Sequence, residues 1–210
     1  MTRNLSISLI FILAVSLNGF SQITGSGHDF SGNAWANNEI CIVCHTPHNG
    51  TSTGNAPLWN RELSSVASYT LYSSVTMDAG SAIAPVANSA SNSRLCLSCH
   101  DGTVALENFG GVSNGTTTIG IYGSGVGNIG TDLSNDHPIS FTYDAALCIA
   151  DPGLNDPTTT PVLNGTITTQ MLFGGQLECA TCHDVHDNSY GYFLRIDNTN
   201  SALCLTCHNK

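Results

Sequence analysis

The sequence predicts a chain made mostly of loops, with short helices at four cysteine-bearing motifs and a few short strands. Regular secondary structure is sparse, and the core is supplied largely by bound groups. Three observations carry that expectation. The pattern Cys-x-x-Cys-His occurs four times, as Cys41/Cys44/His45, Cys96/Cys99/His100, Cys179/Cys182/His183 and Cys204/Cys207/His208. The chain holds 21 glycines, and with many Asn, Ser and Thr residues these favour turns over long elements. Residues 22–210 leave roughly 47 residues to each motif, too few for four side-chain cores.

The motif spacing has a chemical reason. Two cysteines three positions apart can each form a thioether with one vinyl group of a haem, and the adjoining histidine turns its imidazole onto the iron. The expected cofactor is therefore haem c, four copies, covalently attached. Zinc ribbons and redox dithiols also use Cys-x-x-Cys. Zinc sites do not require a histidine after every second cysteine, and a redox dithiol of the thioredoxin type occurs once, in a βαβ setting.

Eight histidines are present. Four are the proximal ligands His45, His100, His183 and His208, which leaves His28, His48, His137 and His186. A remainder equal to the number of motifs points to bis-histidine ligation of every iron. Methionine is the competing sixth ligand, but beyond the initiator only Met77 and Met171 exist, and both read as packing residues. His48 follows His45 by three residues and His186 follows His183 by three, a span that extended chain stretches to only about 10 Å. Neither can pass round the macrocycle to its opposite face, so each is expected to ligate a neighbouring haem. Pro47 biases Thr46 away from helix, so the first clamp is expected to turn. The second, CHDVH, can place both histidines on one helical face.

Residues 1–21 carry Arg3, an apolar run from Leu5 to Leu17 and small residues at Gly19 and Ser21. They read as a secretory signal peptide cleaved after Ser21, with an apolar run too short for a membrane span. Residues 22–210 then form one domain. Its lead-in holds His28 and Trp35. Trp59, in APLW, is expected to pack against a porphyrin or cap an apolar pocket. The Ser/Ala-rich stretch from Leu63 to Ala90 reads as a short helix and loops. Gly110–Gly130, rich in Gly, Thr, Ile and Val, reads as short strands or a hairpin with turns at Asn114-Gly115 and Ser124-Gly125. His137 precedes Pro138 and is expected on extended backbone. Cys148, the ninth cysteine, sits among Ala145, Ala146, Leu147 and Ile149 and reads as a buried thiol.

Without Arg3 the basic residues are Arg61, Arg94, Arg195 and Lys210, against 15 acidic ones. That balance argues against nucleic acid or an anionic membrane as partner.

The segments CIVCHTPHNG, SRLCLSCHDGTVA, DLSNDHPISF and ECATCHDVHDN resemble the multihaem c-type cytochromes. The four-motif size and the histidine near the start of the mature chain are similar to the tetrahaem cytochromes that polymerise into extracellular filaments, the cytochrome nanowires. The resemblance implies proximal ligation by His45, His100, His183 and His208 and distal ligation by His28, His48, His137 and His186. It also implies a head-to-tail homopolymer exchanging electrons with other redox proteins or extracellular acceptors, located at the cell surface or beyond. The expected role is electron transfer without catalysis. His28, on a terminal segment, is the first candidate for a ligand donated to an adjacent subunit. A monomeric periplasmic shuttle is the alternative. A multihaem reductase would need an iron with an open position and acid–base groups beside it.

Overall fold

In a computed structural model of the chain, the described residues are 22–53, 56–79 and 91–209. Residues 1–21, read above as a signal peptide, and residues 80–90 of the Ser/Ala-rich stretch lie outside them. Among the described residues no helix is long and apolar enough to cross a membrane.

The elements are short, as the glycine and polar content dictates. Eight strands of two to four residues pair only in twos. β1 (Thr51–Thr53) and β2 (Ala56–Trp59) form an antiparallel hairpin. Gly50 opens it because a Cβ there would meet the Leu58 Cα at 2.7 Å. β3 (Thr70–Leu71) pairs in parallel with β4 (Asp132–Leu133), a contact across some sixty residues that ties the first half of the chain to the second. β5 (Phe141–Thr142) pairs with β8 (Gln176–Leu177), and β6 (Pro161–Val162) with β7 (Gly165–Thr166).

Five helices complete the set: α1 (Asn92–His100), α2 (Ala145–Ala150), α3 (Ile167–Gln170), α4 (Cys179–Cys182) and α5 (Ala202–Cys207). Three of them carry motifs. α1 ends on the second motif, α4 is the Cys-x-x-Cys of the third, and α5 carries the fourth. The first motif is a hydrogen-bonded turn, with the His45 amide donating to the Cys41 carbonyl at 2.8 Å.

Two expectations are corrected, and a third is met only in its described part. The third motif does not continue as helix: His183 is extended (φ −115°, ψ 138°), because its backbone pairs with Leu194 and the Arg195 amide takes the Cys182 carbonyl. The 110–130 interval contains no strand, only a 3-10 turn at Tyr122–Gly125. Gly110, Gly111, Gly123, Gly125, Gly127 and Gly130 all take positive φ there, which breaks the pleat that the β-branched residues favour. The described part of the Ser/Ala-rich stretch holds β3 and coil rather than helix.

Apolar burial is split into three clusters. The largest gathers Phe141, Tyr143, Leu147, Val162, Ile167, Met171, Leu177 and Leu203 with Ala79, and packs against Cys182 and Cys207. A second joins Phe30, Ala36, Val43, Leu106 and Phe109, against Cys99. The third is Leu97 with Leu133. Met171 lies inside the first cluster, at 1 % exposure, where it packs.

Candidate haem-binding sites

Three of the four motif histidines share one device. His45 Nδ1 lies 3.0 Å from the Pro57 carbonyl, His100 Nδ1 2.6 Å from that of Gly127, and His183 Nδ1 2.9 Å from that of Tyr192. A carbonyl only accepts, so in each ring Nδ1 carries the proton and Nε2 presents its lone pair. His137 is held in the same way, with Nδ1 2.9 Å from the Pro138 carbonyl. An imidazole oriented by its Nδ1 and free at Nε2 is the form that binds a metal.

The histidines come together in twos. Ring centroids lie 5.9 Å apart for His28 and His100, 6.1 Å for His45 and His186, and 6.2 Å for His137 and His208. An iron between two imidazole nitrogens at about 2.0 Å each sets the centroids roughly 6 Å apart. Each of these pairs joins a proximal ligand to one of the four spare histidines. His28 and His100 thus face each other within one chain, whereas the sequence reading makes His28 the first candidate for a ligand given to a neighbour. His28 is additionally stacked on Phe193 at 4.8 Å. Its pKa falls to about 4, first through burial and then through the nearby His100, His183 and His186, so its ring stays neutral and able to donate a lone pair.

Two histidines are left out. Among the described residues no histidine ring stands at ligand-pair distance from His183. His48 is exposed and lines a cleft of about 460 Å³ with Trp59, Asn60, Gly110 and Gly111. Each clamp is therefore half-realised within one chain: His186 reaches the His45 site, whereas His48 does not reach His183.

The cysteines follow one another in sequence order. Cys44 and Cys99 lie close enough to raise the Cys44 thiol, mainly through burial and then through this neighbour, to about 11. Cys96 hydrogen-bonds Cys179, which raises the first thiol and lowers the second. Cys182 is near Cys204 and Cys207. Motif one thus meets motif two, two meets three, and three meets four. No disulfide joins any of the nine cysteines. Cys148 is half-buried rather than buried, and its Sγ donates to the Asn155 carbonyl at 3.3 Å.

Haem fits this arrangement on one further count. Trp59 is 9 % exposed, stands edge-on to His45 at 6.4 Å, and its buried Nε1 has no partner. An indole N–H left so beside a proximal ligand suits a propionate oxygen.

Residues that the sequence did not single out complete the sites. The carbonyls of Pro57, Gly127 and Tyr192 fix three proximal rings, and nothing in a residue's identity marks its carbonyl for that task. Tyr192 and Phe193 both have positive φ, 49° and 57°, a costly backbone for bulky side chains. The same turn aims the Tyr192 carbonyl at His183 and the Phe193 ring at His28.

Residues 172–210, which hold motifs three and four, match the doubled CXXCH motif family. No curated protein matches the chain. Together with the motifs, the match supports a multihaem c-type cytochrome: the motifs imply covalently bound c-type haem, and electron transfer is the work such a protein performs.

Proposed function

We propose that this chain is a tetrahaem electron conduit that assembles head to tail, with His48 of one copy completing the His183 site of the next. The observation that carries the proposal is the histidine pairing. Three motif histidines have a second histidine ring about 6 Å away in the same chain. Among the described residues His183 has none at that distance, and His48 is exposed. A one-to-one remainder of this kind is satisfied by a heterologous contact between copies, and such contacts propagate into rings or filaments.

The surroundings of both histidines support the contact. Leu58, beside the His48 turn, is 50 % exposed, and Val185, Tyr190 and Tyr192, around His183, are 38 %, 51 % and 87 % exposed. Bound c-type haem supplies one-electron redox chemistry, tuned by its axial ligands and their hydrogen bonds. The chain's own part is to anchor each group by two cysteines, to fix the tautomer of the proximal ring, and to hold the four attachment points in sequence order. Buried side-chain clusters alternate with those points, so the haems share the core with them. With six-coordinate irons, the role is electron transfer rather than a substrate reaction. The leader at 1–21 sends the chain out of the cytoplasm, to partners that are other redox proteins or extracellular acceptors, and the net negative charge keeps it off nucleic acid.

The test is electron microscopy of the haem-loaded protein beside its EPR spectrum. Filaments in which every iron is low-spin are expected, and H48A is expected to give dispersed particles with high-spin signal from one iron in four. Wild-type particles of monomer size with four low-spin irons would replace the filament by a monomeric shuttle. A persistent high-spin iron in assembled wild type would instead reopen the reductase reading at the His183 site.

A further inference from the structure

Glu178 immediately precedes the third motif and is 3 % exposed. One of its oxygens, Oε2, accepts from Ser91 Oγ at 2.9 Å, Ser140 Oγ at 3.1 Å, the Ser93 amide at 3.1 Å and the Ser93 hydroxyl. The side chain also accepts from the Thr181 amide in a reciprocal cap, as the Glu178 amide donates to Thr181 Oγ1 at 2.9 Å. The two backbone amides can only donate, so this is an acceptor's site, that of a carboxylate. Every donor that bonds it is neutral, and among the described residues no cation forms an ion pair with it. A buried charge without a partner is costly, so its position calls for an account.

The position is the junction of two haem attachments. Ser93 lies three residues before Cys96, and its hydroxyl both donates to Glu178 and accepts from the Cys179 amide at 3.0 Å. The same carboxylate therefore binds the start of α1 and the start of α4, the helices that carry motifs two and three, where Cys96 and Cys179 face each other. Asp101, the other buried carboxylate near a motif, lies at the far end of α1, where the guanidinium of Arg61 acts on Cys99 and that of Arg94 on Tyr69. Among the described residues no ion pair involves Glu178.

We propose that Glu178 is an electrostatic control residue: its uncompensated negative charge lowers the reduction potentials of the haems on motifs two and three. When such a haem takes up one electron, its iron passes from ferric to ferrous and the site loses one positive charge. A fixed anion stabilises the more positive oxidised form, and a site of low dielectric keeps that interaction strong. The neutral hydrogen bonds hold the carboxylate in place without cancelling its charge.

This inference rests on the electron-transfer reading, and one titration separates the two. Haem content and a spectroelectrochemical titration are measured on the full haem-loaded chain, wild type beside E178Q and E178D. A wild type without covalent haem, or one that cannot be reduced and reoxidised, defeats the electron-transfer reading itself. Given a redox-active wild type, E178Q is expected to raise the two lowest macroscopic potentials, each by about tenfold in its reduction equilibrium, about 59 mV for a one-electron couple. E178D, which keeps the charge, is expected to restore most of the difference. A fully loaded E178Q with wild-type potentials overturns the proposal, as does an E178D that shifts as far as E178Q. Should E178Q not load, the wild type still decides. Raising salt from roughly 0.05 to 1 M shortens the screening length to about 3 Å and is expected to leave the low potentials in place, because the charge is buried. Their collapse towards the others in salt overturns the proposal.

Discussion

Gly127 shows how much a single residue contributes to a ligand's chemistry. Its φ is +84°, its carbonyl takes the His100 Nδ1 proton, and a Cβ at that position would lie 3.3 Å from the His100 ring. Gly127→Ala is expected to cost about 1–2 kcal/mol through the left-handed backbone alone and to turn the ring it crowds. The expected outcome is a changed low-spin EPR envelope for one iron in four, with haem content preserved. Phe193 is the corresponding device for His28, a flat ring 18° from parallel to the imidazole. Phe193→Ala removes a stacked pair worth about 0.5–1.5 kcal/mol and is expected to loosen the distal ligand, seen as faster binding of added cyanide or imidazole at the His100 iron.

At the level of elements, the helices are too short to stand by propensity and owe their positions to the groups that tie their ends. Asp144 caps α2 by accepting from the Leu147 amide at 2.9 Å. Tyr143 secures the C-terminal motif: its hydroxyl donates to the Asn155 carbonyl at 2.6 Å and approaches the Cys207 carbonyl at 3.2 Å. Burial first, then the neighbouring Cys207 and Cys148, raises that phenol, so it remains a donor across the accessible pH range. Tyr143→Phe is expected to lower stability by about 1 kcal/mol in denaturant titration of the haem-loaded protein. Met171→Ala, in the centre of the largest cluster, is expected to cost about 2–5 kcal/mol while leaving every iron's ligation unchanged. A change in ligation on that substitution would show that Met171 does more than pack.

For the molecule as a whole, His48 and His186 occupy the same position in two like-spaced motifs yet are expected to behave differently. His186 stands opposite His45 in its own chain, so H186A should leave one high-spin iron at any protein concentration. His48 faces solvent, so the high-spin iron of H48A should accompany loss of assembly, and the wild type should lose its last high-spin signal as concentration rises. Sedimentation velocity and EPR along one dilution series would separate the two.

The sequence by itself determined the chemistry. Cys-x-x-Cys-His is a local pattern, legible because both anchors and the proximal ligand lie within five consecutive residues, and the histidine remainder followed from counting. The scarcity of regular structure was equally legible, since glycine and small polar residues act on the backbone where they stand. The pairing of histidine rings was decided only in the tertiary structure. His28 is 72 positions from His100 and His45 is 141 from His186, and no short-range rule relates residues so far apart. The same reason hid the carbonyls of Pro57, Gly127 and Tyr192, which act through backbone atoms that every residue possesses. It also misled the expectation of a hairpin at 110–130, where β-branched composition pointed to strands but the positive φ of the glycines left no continuous edge to pair. Glu178 reads in the sequence as an ordinary acidic residue before a cysteine. Only the fold brings Ser91, Ser93 and Ser140 around it, because a buried charge is defined by what surrounds it and not by its neighbours in the chain.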